Sequence, residues 1–237
     1  MKTTDITRFV FFDHGGTLAY LRKDSPQIVL EVLAESGYDF PLERVKYAVE
    51  EMELYWQTKY QALPRGSRFN SRVIEDCYRY MLRNLGIGQG ASRLARRIDS
   101  EWHDRAEITL YPDTIPCLEV LKQLDLPIGI ITQTLWTEEE FRRLHLRREG
   151  IERYFSLVIT TESIGYDKPD TLLYAKSASL VGCAPSEVMH VGDSYELDVR
   201  GARSAGMRAV LIVRNRKPAS YDCKIIESLL QLPQLID

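Results

Sequence analysis

Five short apolar runs, spread along a chain of 237 residues, restrict what it can fold into. They are residues 8–12 (RFVFF), 127–132 (PIGIIT), 156–160 (SLVIT), 187–192 (EVMHVG) and 208–213 (RAVLIV). Most are continuous rather than alternating, the pattern of strands buried on both faces of a parallel sheet. Helical segments separate the later four. Asp113 is placed to cap "TIPCLEVLKQL", and Asp170 to cap "TLLYAKSASLVG", which stops at Gly182; "YELDVRGARSAG" stops at Gly206. Strand alternating with helix specifies an α/β fold, a doubly wound parallel sheet.

The long interval between the first two runs is different. Nothing from about residue 20 to 108 reads as strand. "SPQIVLEVLAESG" has Ser25 as N-cap, Pro26 at the first helical position and Gly37 as its stop. Leu42, Val45, Val49, Met52 and Trp56 recur at spacings of three and four, as do Val73, Cys77, Tyr80 and Met81. A fourth helix covers "ASRLARRIDSEWHDRA". The expected organisation is therefore an α/β core of residues 1–19 plus 109–237, interrupted by an all-helical domain of residues 20–108. The insertion leaves the core beside Asp13, where it can cover whatever that residue does.

Bulk properties narrow the function classes. The net charge of −3 argues against a dedicated nucleic-acid binder, which needs a basic excess. Cys77, Cys117, Cys183 and Cys223 form no C-x-x-C pair, so zinc spacing is absent and small core residues are expected. The start, "MKTTDITRF", has no apolar signal core, and no apolar run approaches the roughly 20 residues that span a bilayer. No membrane association and a cytoplasmic location are expected; the oligomeric state is not legible.

Ligands of an open parallel sheet bind beyond the carboxyl ends of its strands. Asp13 follows the first run, in "FFDHGGTLAY", Thr132-Gln133 ends the second, Lys168 in "GYDKPD" follows the third, and Asp193-Ser194 follows the fourth. This ordered set resembles the haloacid dehalogenase superfamily. Its D-x-D-G-T motif corresponds to Asp13-His14-Gly15-Gly16-Thr17, its strand-end Thr or Ser to Thr132, its Lys to Lys168-Pro169, and its G-D-x-x-x-D to Gly192, Asp193 and Asp198. The resemblance covers nearly the whole chain, including a helical cap after the first motif. It implies a Rossmann-like sheet of order 5-4-1-2-3, bound Mg²⁺, and hydrolysis of a small phosphorylated metabolite.

On that resemblance Asp13 is the nucleophile that forms an aspartyl-phosphate, splitting one displacement into two. Asp13, the Gly15 carbonyl and Asp193 are the implied Mg²⁺ ligands, hard oxygens for a hard cation. Thr132, Lys168 and the backbone around Gly15 and Gly16, with Gln133 beside them, hold the phosphoryl oxygens. Asp198 orients Lys168 or a metal-bound water.

One position departs from the pattern. The family's phosphatases carry an Asp two residues after the nucleophile, as the acid that protonates the leaving alkoxide. Such help is worth about 10²–10⁴ in rate, and Gly15 cannot supply it. Three readings stay open. One is a Mg²⁺-dependent phosphatase that is weakened or restricted to good leaving groups. Another is a catalytically impaired family member that binds phosphate or a partner. The last is an enzyme like phosphonoacetaldehyde hydrolase, which carries Ala there and uses a cap lysine; Lys23, Lys46 and Lys59 are the candidates. His14 and His190 read as structural, Arg142, Arg143, Arg147 and Arg148 as a solvated basic face, and Arg65, Arg68 and Arg72 as a loop able to reach an anion.

Overall fold

The structure, a computed structural model, describes residues 6–63, 70–133, 139–214 and 221–236. The chain divides into two compact units, Met1–Tyr20 with Thr109–Asp237 and Leu21–Ile108.

The first unit is built on β1 (Phe9–Phe12), a short pair β2 (Ala19–Tyr20) and β3 (Thr109–Leu110), and then β4 (Ile128–Thr132), β5 (Phe155–Thr160), β6 (Val188–Gly192), β7 (Arg208–Ile212) and β8 (Lys224–Ile226). Six of these form one sheet in the order β5-β4-β1-β6-β7-β8, every neighbouring pair parallel. The five expected strands take the expected order, and β8 extends the β7 edge. β8 has three residues, and β2 and β3 have two each, too few to show a period. The β2–β3 pair is antiparallel and separate from the main sheet.

The unbroken apolar runs have a direct cause. In β1, Val10 and Phe12 pack on one face with Ile128, Ile130, Met189, Val191 and Val210. Phe9 and Phe11 pack on the other with Ile131, Ile159, Val188 and Tyr174. Period-two alternation leaves no face for water, so every position is apolar. Among the described residues, no helix is long and apolar enough to cross a membrane.

The second unit contains four helices, α1 (Ser25–Glu35), α2 (Leu42–Tyr60), α3 (Ser71–Asn84) and α4 (Ala91–Arg105). Their buried faces carry Val32 and Leu33, Val45 and Val49, Cys77 and Met81, and Ala95 and Ile98. Each fully buried Leu or Ile of this kind contributes about 1.5–3 kcal/mol. Leu42 and Trp56 are only half-buried, and Ala48 joins the inward stripe of α2. The cap of α1 is Asp24 rather than Ser25: its carboxylate accepts from the Gln27 amide, while the Gln27 side chain accepts from the Asp24 amide. Arg72 is exposed in the first turn of α3; Arg65 and Arg68 lie outside the described residues.

The remaining helices of the first unit include α5 (Thr114–Gln123), α6 (Glu139–Arg148), α7 (Thr161–Ile164) and α8 (Thr171–Leu180). Asp170 caps α8 as expected, accepting from the Leu172 amide. Asp113 occupies the cap position of α5 but makes no side-chain cap bond. Its Oδ2 accepts instead from Arg214 at 2.6 Å, Ser228 at 2.8 Å and the Leu229 amide at 2.9 Å. A charged guanidinium competes better for a carboxylate than a neutral amide does.

In the helical unit, Asp76 accepts from Lys59 and from the hydroxyls of Tyr55 and Tyr60, tying α3 to the end of α2. Burial pushes its carboxyl up, but these three donors outweigh it and hold the group at about 2. A folded pKa below the unfolded value contributes stability above the ordinary carboxylate range, lost as pH falls toward 2. Urea denaturation of Asp76→Asn should show a loss of about 1–2 kcal/mol at pH 6 and a smaller pH dependence between pH 4 and 2 than the parent shows.

Candidate active site

Four segments meet at the carboxyl edge of the sheet. β1 ends at Phe12, and the next amide, of Asp13, donates to the Val191 carbonyl of β6 at 2.8 Å, so Asp13 leaves the sheet anchored to its neighbour. β6 ends at Gly192, immediately before Asp193. Lys168 follows β5 and α7, and its peptide bond to Pro169 is cis. Asp198 lies in a π-helical stretch, Tyr195–Arg200, that is continued by α9 (Gly201–Ser204) and capped by Ser194, whose hydroxyl accepts from the Leu197 amide. Such wide turns occur often at functional sites.

The buried ammonium of Lys168 bridges two carboxylates, 2.5 Å from Asp13 Oδ1 and 2.6 Å from Asp198 Oδ1. Asp198 is fully engaged, since Oδ1 also meets His190 Nε2 at 3.0 Å and Oδ2 accepts from the Ser194 amide at 3.1 Å. Burial pushes Lys168 down, but Asp13 and Asp198 overcome it and hold the ammonium well above its usual range. Burial alone would raise Asp198; Lys168 and His190 reverse that and keep it ionised far below the usual carboxylate range. His190, fully buried, is pushed down by desolvation against the pull of Asp198. It fills the expected core position and also braces Asp198, a role its spacing of eight residues does not announce.

Two glycines make the approach of the carboxylates possible. Gly16 has φ 73°, and a Cβ there would lie 2.4 Å from Asp193 Oδ2. A Cβ on Gly192 would lie 2.2 Å from Asp198 Cγ. Asp13, Asp193 and Asp198 each offer an oxygen within 4.8 Å of the others. The Asp193 carboxyl, on a residue open to solvent, is pushed up to about 6 by desolvation first, then by Asp13 and Asp198. Gly15 is exposed, and a Cβ built on it would meet nothing within 4 Å.

Thr132 is buried at the end of β4, beside Thr160 of β5, on this same sheet edge, and Gln133 follows at the surface. Neither side chain is hydrogen-bonded to the lysine–carboxylate cluster among the described residues. His14 is structural as expected: it is 3% exposed, and its Nε2 lies 2.9 Å from Glu149 Oε2. The solvated-face expectation fails for Arg142, which is 8% exposed with Nη1 3.4 Å from His14 Nδ1. Arg147 and Arg148 do face solvent. The signal for Arg142 was its spacing of four from the buried Leu146 in "RRLHLRRE", which a count of arginines hides.

Comparison with known proteins gives the family and the fold. A family model for haloacid dehalogenase-like hydrolases matches residues 10–212. The chain is 28% identical over 212 residues to a glyceraldehyde 3-phosphate phosphatase of Methanopyrus kandleri, covering 87% of this chain and 84% of that one. It is 32% identical over 156 residues to a phosphoserine phosphatase of Thermus thermophilus, covering 64% and 60%. In fold it is similar to a 2-haloacid dehalogenase from Pseudomonas syringae pv. Tomato, with a TM-score of 0.74 at 24% identity over 97% of this chain and 98% of that one. By its matching motifs, its sheet order and these relatives, the chain belongs to the haloacid dehalogenase-like hydrolase family.

Proposed function

We propose that this protein is a Mg²⁺-dependent phosphohydrolase that passes the phosphoryl group of a small phosphorylated metabolite to Asp13 and then to water. The observation that carries it is the buried ammonium of Lys168 held between Asp13 and Asp198, with Asp193 alongside. Lys168 engages Asp13 Oδ1 and leaves Oδ2 to attack phosphorus. The P–O bond to the leaving group then breaks, giving an aspartyl-phosphate. Water next attacks that phosphorus, releasing inorganic phosphate and restoring the Asp13 carboxylate. Lys168 stays charged throughout and lies where phosphoryl oxygens gather negative charge. Thr132 and the Gly15 amide supply further donors, with Gln133 at the rim; the Gly16 amide, expected to join them, is taken up by the Ala19 carbonyl at 2.8 Å.

The donor set fits a hard divalent cation. Desolvation and two facing carboxylates push the Asp193 carboxyl up by more than the nearby Lys168 charge brings it down. Asp198 is already engaged by Lys168, His190 and Ser194, so Asp13 and Asp193, with the Gly15 carbonyl, would hold the ion. When bound it offsets the repulsion between the attacking carboxylate and the phosphate dianion.

Gly15 sets the substrate range. With no acid at that position, a departing alkoxide has no partner there, whereas acyl and aryl phosphates leave without a proton. The phosphonoacetaldehyde-hydrolase alternative loses ground, because a Schiff base needs a neutral amine. Lys23 is paired with Glu31 and Glu107, Lys46 with Glu43 and Lys59 with Asp76, and each is held above its usual value.

With Mg²⁺, acetyl phosphate and p-nitrophenyl phosphate should be cleaved, and Asp13→Asn should lose more than about 10³-fold in kcat. If the parent cleaves neither ester, a ligand-binding role without turnover takes the place of this reading. Gly15→Asp has open space for its Cβ and should raise kcat/KM on alkyl phosphates by about 10²–10⁴, with little change on acetyl phosphate. Mg²⁺ at 100 times its Kd should stabilise the parent by about 2.7 kcal/mol, seen as a rise in Tm that Asp193→Asn abolishes.

A further inference from the structure

Directly behind the nucleophile lies a polar chain that the chemistry above does not use. His14 immediately follows Asp13, and its ring is buried between two side chains of the α6 segment, Arg142 and Glu149. A guanidinium has only donors, so His14 Nδ1 must accept from Arg142, and the ring proton must sit on Nε2, facing Glu149 Oε2. One neutral tautomer is thereby selected. Arg142 and Glu149 cancel in charge, so the chain adds no net charge beside Lys168.

The backbone of the same residue organises the loop. The His14 carbonyl accepts from the amides of Leu18 at 2.9 Å and Ala19 at 3.0 Å, and Gly16 donates to the Ala19 carbonyl at 2.8 Å. The loop that carries Gly15 and Gly16 is thus closed on His14, while the His14 ring is fastened to α6. Adjacent Cα atoms are about 3.8 Å apart, so a shift of the His14 backbone is passed on to Asp13. Burial pushes Arg142 down, while Glu149 and Asp13 pull it up, so the guanidinium feels the nucleophile's charge. Among the described residues, its Nε and Glu149 Oε1 are buried without a hydrogen-bond partner.

We infer that Arg142 and Glu149 are positioning residues: through His14 they hold the Asp13 carboxylate and the Gly15–Gly16 backbone in the geometry the reaction requires. The inference rests on the phosphohydrolase reading. A misplacement of about 1 Å at such a distance costs roughly 10² in rate. The loss falls mainly on kcat, since Lys168 and Thr132, which also hold the phosphate, are untouched.

The test is steady-state hydrolysis of acetyl phosphate with Mg²⁺ by full-length variants, alongside their Tm. Glu149→Gln keeps an acceptor oxygen and should stay within about threefold of the parent in kcat, while Glu149→Leu should fall by roughly 10²-fold with KM changed less than about threefold. The double variant His14→Phe/Glu149→Leu should be no slower than the worse single one, because the residues act as a unit. The ¹⁵N shifts of the parent's His14 should show a protonated Nε2 and an accepting Nδ1. If Glu149→Leu does not fold, Arg142→Met asks the same question from the other end of the chain. A folded Glu149→Leu or Arg142→Met with kcat within threefold of the parent overturns the inference, as do losses confined to KM or multiplying in the double variant. If the parent neither hydrolyses acetyl phosphate nor binds beryllium trifluoride with Mg²⁺, the phosphohydrolase reading falls and this one with it. An active parent with indifferent variants removes only this one.

Discussion

The ammonium of Lys168 is the interaction on which the site depends. Three carboxylates converge on one edge of the sheet, and two of them share this single buried cation. A buried ion pair stands or falls with its geometry, because removing one partner leaves a charge that the interior cannot solvate. Here the geometry is tightly determined. Asp198 accepts from three donors, and the Lys168 ammonium among them also reaches Asp13. The nucleophile is therefore held by Lys168 as well as by its own β1 backbone.

That convergence requires the backbone to come close, and glycine allows it at two points. Gly192 lets Asp198 fold back beneath the end of β6, and Gly16 lets the loop after Asp13 pass against Asp193. Gly15 is of another kind: it faces open space and crowds nothing. Two of these glycines are demanded by packing, and the third is a chemical choice, the omission of a side chain where one would fit. The loop that carries it is closed by backbone hydrogen bonds on His14 and pinned through the His14 ring to α6.

Much of this was legible beforehand for physical reasons. A strand buried on both faces is apolar at most positions, so β1, β4, β5, β6 and β7 announce themselves. Asp13, Lys168, Asp193 and Asp198 stand at the ends of such runs, where a parallel sheet opens to ligands. The misses share one cause, that local pattern does not reveal a distant competitor. Asp113 has the form of a helix cap until Arg214, 101 positions away, claims its carboxylate. Arg142 reads as one solvated arginine among several until His14 meets it. β2, β3 and β8 are held by their partners rather than by any periodicity of their own.

By itself the sequence determined the α/β class, the strand order through its family resemblance, the helical insertion and the kinds of reactive group at each strand end, because buried-strand periodicity and turn chemistry are local properties. It also determined the absence of an acid at position 15, which no folding can supply. Only the tertiary structure decided which charges meet. Lys168 finds Asp13 across 155 positions, and His14 reaches Glu149 across 135. Those pairings follow from sheet order and helix placement, and in a low-dielectric interior they set the protonation states, whereas residue types alone leave every partner open.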